Sequence, residues 1–346
     1  MKIVHLFYNL NIGGSETMVV DIMNNQVKYE DITLIVINKE NDPQLLQNID
    51  PRIKKHIIGR TTGSKNPYPF FRLNKLLYYL KPDVIHIHNY NIMPVLIKQK
   101  NTRYFFTAHT NGIDIMQPNR FDKIFAISKY VAQDIRQRYT VPTELIYNGI
   151  NTSEIIYKPQ SEKNENFRIV QIGRQFIQQK GQDILLKALH ILIHKKQITN
   201  LSLDLIGDGT DTEYLQHLSK ELQIEKHVTF LGARNRAFIY QHLHEYQLAV
   251  QPSRQEGFGL TVAEAICAGV PVLLSDIKGP MEIIDNGKFG TTFEVDNINM
   301  CAEKIATIIQ NYPEYIQKTY PAREFVFQNF DIVTTSLNYI KAYQNS

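Results

Sequence analysis

Two doubly wound α/β domains are what this sequence predicts, and three observations predict them. Short apolar runs of strand length alternate with longer stretches of helical periodicity, and the alternation passes through the chain twice. A polar stretch, Ser161 to Asn166, separates the two series and reads as a surface linker. Several apolar runs stop at turns bearing glycine or histidine, at the carboxyl edge where open parallel sheets bind ligands. The 346 residues are also too many for one ordinary core.

In the first series, Ile3 to Phe7 is an apolar strand. Asn9 to Glu16, with Gly13 and Gly14, is the loop after it, and a helix runs from Thr17 to about Lys28. Strand, glycine loop and helix start offer backbone N–H groups to an anion. The pattern is not G-x-G-x-x-G, so a nicotinamide cofactor is not indicated and no cofactor is expected. Ile32 to Ile37 is the second strand. Pro69 to Leu80 is a helix that mixes Phe70, Phe71, Tyr78 and Tyr79 with Arg72 and Lys75. It reads either as a core-facing helix with a basic outer face or as an interfacial helix that meets anionic lipid.

Asp83 to His88 is the next strand, and a period of two puts His86 and His88 on one face. No third ligand accompanies them, so no metal is expected. Tyr104 to His109 follows, with His109 at the carboxyl end. Lys123 to Ile127 is a strand, Ser128 caps a helix over Lys129 to Arg138, and Leu145 to Tyr147 leads into Asn148-Gly149-Ile150-Asn151.

The second series opens with the strand Phe167 to Gly173. Arg174 and Lys180 follow in Gly-Arg-x5-Lys-Gly, ahead of a helix from Gln182 to about Lys195. On that helix His190 and His194 share a face and read as surface residues. Leu203 to Gly209 is a strand and glycine turn, and Val228 to Gly232 is a strand with Ala233-Arg234 behind it. Asp208 and Asp211 do not form D-x-D. Leu248 to Gln251 is a buried strand, and Glu256-Gly257-Phe258-Gly259 leads into a helix from Leu260 that carries Glu264. The two glutamates bracket a tight turn, which suits a ligand with two polyol parts. Val270 to Leu274 is a core strand. Helices are expected over Met300–Gln310, Pro321–Phe330 and Ile332–Tyr343, with a bend at Asn329–Asp331.

Composition excludes several classes. No apolar run reaches the roughly 20 residues of a spanning helix. The amino terminus lacks a signal-peptide cleavage pattern, so a cytoplasmic protein is expected. Cys267 and Cys301 sit in apolar helical patterns and read as buried free thiols. Net charge is +4, but between Pro51 and Tyr104 there are eleven Lys and Arg residues against one acid, Asp83. Such a patch attracts an anionic partner, and an anionic membrane surface is the candidate. No nucleic-acid recognition motif accompanies it.

From Pro252-Ser253 through Glu256, Glu264-Ala265 and Gly269-Val270-Pro271-Val272, the second half resembles the retaining nucleotide-sugar glycosyltransferases of family 4, the E-x7-E type. That resemblance implies the GT-B fold, two Rossmann-like domains facing a central cleft. They are expected at residues 1–155 plus a returning helix, 331–346, and at 166–330. It implies transfer of a hexose-type sugar from a nucleoside-diphosphate sugar, a UDP sugar in particular. The acceptor is expected to be a glycan or lipid-linked sugar in surface polysaccharide synthesis.

Site roles follow from the same resemblance. Arg174 and Lys180 match the basic pair at the diphosphate, where fixed cations stabilise the charge that grows on the leaving group, so no metal is needed. Glu256 bonds hydroxyls of the donor sugar and Glu264 those of the ribose. The amides of Gly257, Phe258 and Gly259, with Leu260 behind them, help hold sugar and phosphate. His109 contacts the sugar from the first domain, the Gly13-Gly14 loop faces phosphate and acceptor, and Arg234 lies where the base is bound. Glu256, His109, Arg174 and Lys180 are thus the catalytic candidates. The rival readings are a silent GT-B partner in a glycosylation complex, or a GT-B sugar-nucleotide epimerase. Intact Arg174, Lys180, Glu256 and Glu264 argue against the first, and the setting of the E-x7-E run against the second.

Overall fold

A computed structural model describes residues 1–11, 13–157 and 166–345. The chain divides into a first unit, 1–149 with 330–346, and a second unit, 150–329. The first unit therefore ends at Gly149 rather than at 155. Residues 150–157, ahead of the first strand of the second unit, belong with that unit. The expected linker lies outside the described residues, apart from exposed Asn166.

The first unit is built on β1 (Lys2–Phe7), α1 (Gly14–Gln26), β2 (Asp31–Asn38), the short α2 (Pro43–Gln47), β3 (Lys54–Arg60), α3 (Tyr68–Leu80), β4 (Val84–Ile87), β5 (Arg103–Ala108), β6 (Lys123–Ala126), α4 (Lys129–Arg138) and β7 (Thr143–Leu145). The strands form one parallel sheet in the order β3-β2-β1-β4-β5-β6-β7. Register aligns His5 of β1 with His86 of β4. Nearly every residue of β1, β2, β4 and β5 is buried, as continuous apolar runs require when both sheet faces are covered. The Ser128 hydroxyl accepts from the Val131 N–H at 3.1 Å, the expected cap on α4.

In the second unit the order along the chain is β8 (Phe167–Ile172), α5 (Ile177–Lys180), α6 (Gln182–His190), β9 (Leu201–Ile206), α7 (Thr212–Glu221), β10 (Val228–Gly232), α8 (Arg236–His242), β11 (Leu248–Gln251), α9 (Leu260–Cys267), β12 (Val272–Ser275), α10 (Lys278–Ile283), β13 (Thr291–Phe293), α11 (Ile298–Gln310) and α12 (Tyr312–Phe330). Its sheet is again parallel, ordered β10-β9-β8-β11-β12-β13. Leu185, Leu189, Leu203, Leu205, Ile305 and Phe293 belong to one buried core that joins sheet and helices. Beyond His190 the backbone opens into a wide turn, Ile191–Lys195, where the Lys196 N–H reaches the Ile191 carbonyl. Both cysteines are buried free thiols.

One sequence reading needs correction. Pro321 does not start a helix; it lies inside α12. Tyr312, Ile316, Thr319, Ala322, Val326 and Phe330 are all buried, so one face is packed on both sides of the proline and tertiary burial outweighs the lost backbone bond. His190 and His194 lie at the surface, partly exposed and exposed respectively. Their rings bond the Leu222 and Gln223 carbonyls at 2.9 and 3.1 Å, just beyond α7.

The chain returns to the first unit through α13 (Ile332–Gln344), capped by Asp331, whose carboxylate accepts from the Val333 N–H at 2.9 Å. Tyr339 and Tyr343 of this helix are buried against Phe125 and Phe105. A Cβ at Gly149 would lie 2.7 Å from the Ile332 Cα, so the Asn-Gly junction is where the returning backbone passes closest.

Candidate active site

Strand order reverses in the second sheet between β8 and β11: β9 and β10 extend one way, β12 and β13 the other. The crevice at the carboxyl ends of two such strands is the ligand position of open α/β sheets. The loop after β8 carries Arg174 and Lys180, and the loop after β11 carries Glu256 to Gly259. The two loops are packed backbone to backbone. Gly181 has φ +63°, and a Cβ there would stand 2.0 Å from the Pro252 carbonyl oxygen. A Cβ at Gly279 would lie 2.5 Å from the Glu256 carbonyl oxygen, so α10 closes on the β11 loop from its other side. Glycine is required at both places by the close approach.

Lys180 and Glu256 meet at this point: the lysine ammonium donates to Glu256 Oε2. Behind them, the Gln251 amide donates to Ser253 Oγ at 2.9 Å and faces Glu256 Oε2 at 3.5 Å. Thr261 Oγ1 donates to Gln251 Oε1 at 3.1 Å, which sets the way the amide points. The Lys180 loop is held in turn. Asp211 accepts from the Ile177 N–H at 2.8 Å at the start of α5. Arg254 grips Asp183 with two bonds, 2.8 and 3.0 Å, and reaches Asp296 at 2.7 Å, while its own N–H donates to the Gln179 carbonyl at 2.8 Å.

Gly259 caps α9 in the left-handed region, φ 101°, with no side-chain hydrogen bond at this cap. The helix start at Leu260 therefore carries the partial positive charge of an open N-terminus. Phe258 is buried under this turn, beside partly exposed Gly257. Glu264 is buried to 8% exposure one turn into the helix. Arg174 is exposed, and its guanidinium has no hydrogen-bond or ion-pair partner among the described residues. Arg234 is exposed beyond β10 and stacks over the Phe238 ring at 5.2 Å. The structure thus brings Lys180 and Glu256 together and, among the described residues, pairs no acid with Arg174 or Arg234.

In the first unit the strand order reverses between β1 and β4. The loop after β1 ends at Gly13, an extended N-cap with φ −164°, and Gly14 is the first helical residue. Ile12 lies outside the described residues. The Glu16 carboxylate folds over this helix start: its Oε2 would be 2.5 Å from a Cβ at Gly13, and it accepts from Ser15 Oγ at 2.7 Å. The loop thus offers its amides next to an acid of its own, a feature absent from the sequence reading.

His109 follows β5, and both its ring nitrogens are buried without a hydrogen-bond partner. Burial lowers its pKa to about 4, so the ring is neutral. It lies beside His88, ring centres 5.8 Å apart. His5 supplies the third imidazole that spacing alone had not revealed, because it comes from the neighbouring strand. One ring nitrogen from each of His5, His86 and His88 forms a group whose members lie within 4.8 Å of one another. Five of the six ring nitrogens of these residues are already bonded: His5 to His88 and Gln26 at 3.0 and 2.8 Å, and His86 to Tyr343 and Thr107 at 2.6 and 2.7 Å. Only His88 Nδ1 lacks a partner, so binding a metal would first require breaking this network.

Known protein families match both parts of the chain. Residues 153–324 match the profile described as "Glycosyl transferases group 1" and residues 12–154 that of "Glycosyltransferase Family 4". The chain belongs to this glycosyltransferase family. It is 30% identical over 239 residues to an uncharacterised glycosyltransferase of Methanocaldococcus jannaschii, a span of 69% of this chain and 61% of that protein. It is 25% identical, over 98% of this chain and 99% of the relative, to the N-acetylgalactosamine-N,N'-diacetylbacillosaminyl-diphospho-undecaprenol 4-alpha-N-acetylgalactosaminyltransferase of Campylobacter jejuni. Anabaena HepE, solved in complex with UDP and glucose, superposes with a TM-score of 0.81 over the full length of both chains at 20% identity. The fold of this glycosyltransferase is GT-B.

Sequence reasoning about this family member missed four residues that hold the second-unit site: Gln251, Arg254, Asp183 and Asp211. A signal existed for Arg254, which stands two residues before Glu256 among otherwise uncharged neighbours. Its partner Asp183 lies 71 residues away along the chain, and no local pattern joins the two.

Proposed function

We propose that this transferase is a retaining enzyme that moves a hexose-type sugar from a UDP sugar to a glycan or lipid-linked acceptor in surface polysaccharide synthesis, in the cytoplasm. The observation that carries this reading is the Lys180–Glu256 contact at the strand-order reversal of the second sheet. A cation for the diphosphate and a carboxylate for sugar hydroxyls stand together there. The relative from Campylobacter jejuni, named for a polyprenyl-diphosphate-linked acceptor, supports the acceptor class.

In this reading Lys180 and Arg174 hold the diphosphate, Glu256 bonds the sugar, and buried Glu264 accepts from the ribose. The amides of Gly257, Phe258 and Gly259, with Leu260 at the start of α9, add positive potential beside the phosphate. Arg234 with its Phe238 stack is the candidate contact to the base. From the first unit, the resemblance assigns His109 to the sugar, and a neutral imidazole offers one donor and one acceptor to hydroxyls. The Gly13-Gly14 loop is assigned to phosphate and acceptor. The bond from the anomeric carbon to the β-phosphate oxygen breaks, and the acceptor oxygen bonds that carbon on the same face. The acceptor proton passes to the leaving phosphate. Two fixed cations stabilise the departing charge most in the transition state, so no metal is required.

Calorimetric titration with UDP, GDP and ADP and their sugar conjugates, in EDTA, tests this. The expected result is binding of UDP and one UDP sugar, lost in Lys180→Ala. Binding by none of them would sink the reading.

A further inference from the structure

The sequence of helix α3 fits either a core-facing or a lipid-facing helix, and its burial is one-sided. Within it Leu73 and Leu77 are the buried side chains. Tyr68, Phe71, Tyr78 and Tyr79 are 61, 64, 66 and 69% exposed. With Arg72 and Lys75 they follow one another at helical steps of three and four, so aromatic and basic residues make one outward ridge. Asn74 ties a second apolar residue to that ridge. Its amide donates to the Val95 carbonyl at 2.9 Å, and its oxygen accepts from the Ile97 N–H at 2.7 Å. Ile97 is itself 70% exposed.

Beside the ridge runs a groove between α3 and the edge strand β3, lined by Lys55, His56, Tyr68, Phe71, Arg72 and Lys75. Arg72 is aimed by a bond from Nη1 to the Ile58 carbonyl at 3.1 Å. No acid pairs with Lys55, Arg72 or Lys75 among the described residues. The one acid between 51 and 104, Asp83, accepts from the Lys2 N–H at 2.7 Å. Among the described residues no helix is long and apolar enough to cross a membrane.

We propose that this face docks on an anionic phospholipid surface. The aromatic ridge enters the interfacial layer, and the Lys55–Arg72–Lys75 groove receives lipid phosphates. Tyrosine suits that layer because its ring is apolar and its hydroxyl stays wet. Exposed aromatics interleaved with unpaired cations are complementary to an anionic interface on both counts. Each cation near such a surface strengthens partitioning roughly fivefold, with an effect that salt screens. The proposal deepens the lipid-linked acceptor reading by naming the face that meets the membrane. It uses residues of the first unit, so its test is separate from nucleotide binding in the second.

The chain has no tryptophan, so one can be placed as a single reporter. Tyr79→Trp is mixed with vesicles of phosphatidylcholine alone or doped with phosphatidylglycerol, and Tyr214→Trp, on the second unit, is the control. The expected result is a blue shift and quantum-yield gain for Tyr79→Trp with anionic vesicles, reversed by high salt. No change is expected for Tyr214→Trp. In flotation, Lys55→Gln/Lys75→Gln and Phe71→Ser/Tyr78→Ser should each lose at least tenfold in vesicle binding, with circular dichroism and the denaturant midpoint unchanged as the check that the first unit is folded. The proposal is overturned by equal binding to neutral vesicles, by an unshifted reporter, or by full binding in both double variants. It is equally overturned if the face binds a second copy of the chain instead, seen as self-association that these variants abolish.

Discussion

Lys180 and Glu256, 76 residues apart in the chain, are joined by a hydrogen-bonded ion pair, and each side chain is about four-fifths buried (20 and 19% exposed). If Lys180 is the phosphate ligand, a diphosphate must draw the ammonium away from the carboxylate. Glu256→Gln removes that competition and a like charge beside the phosphate. UDP itself should then bind about three- to tenfold tighter, while sugar transfer falls by at least a hundredfold. Lys180→Ala should weaken UDP by tenfold or more. Titration of both variants checks the sign: weaker UDP binding in Glu256→Gln would mean the pair does not compete with phosphate.

The amide of Gln251 is oriented by Thr261, and it faces Ser253 and Glu256. Thr261→Val keeps the shape and removes the donor that sets the amide. We expect kcat to fall about tenfold with UDP affinity unchanged, because the Glu256 carboxylate is misplaced while the cations are not. Equal losses in UDP binding and turnover would assign Thr261 to packing instead.

Arg254 joins the two site loops through Asp183, Asp296 and backbone carbonyls. Arg254→Met leaves Asp183 without its paired guanidinium and should destabilise the second unit by about 2 kcal/mol, measured by denaturant unfolding. Arg254→Lys should not restore this stability, since a point charge cannot make the forked contact. A lysine variant as stable as the native protein would count against the fork.

Burial holds four imidazoles of the first unit neutral. His5 and His109 are lowered to about 4 from 6.5, and His86 and His88 also lie well below 6.5, desolvation being the largest cause in each. The unfolded chain takes up these protons from about pH 6.5 downward, whereas folded His5 and His109 do so only near pH 4 and folded His86 and His88 only well below 6.5. Their contribution to stability is therefore complete above pH 6.5 and is lost as pH falls from there toward 4. The melting temperature of the first unit should drop across that window. A flat profile there would show that the cluster stays partly hydrated.

What could be read in the sequence was whatever local pattern encodes. Continuous apolar runs located most of the central strands, and Ser128 marked the start of α4. Strand β3 is not legible in the sequence, since Lys54, Lys55 and exposed Ile57 carry an edge strand's pattern rather than a buried one. Local propensity places the start of α12 at Pro321, because proline favours a helix start, while the buried face that decides the matter spans residues on either side of it.

The sequence by itself determined the fold class, the family and the candidate residues, because E-x7-E, Gly-Arg-x5-Lys-Gly and the alternation of strands and helices are short-range features. Tertiary structure decided the rest. It joined Lys180 to Glu256, set Arg254 against Asp183, added His5 to His86 and His88, and turned the aromatic residues of α3 outward. Each of these is a contact or an exposure created when parallel strands distant along the chain are laid side by side. Sheet order fixes those neighbours, and no local spacing in the chain contains it.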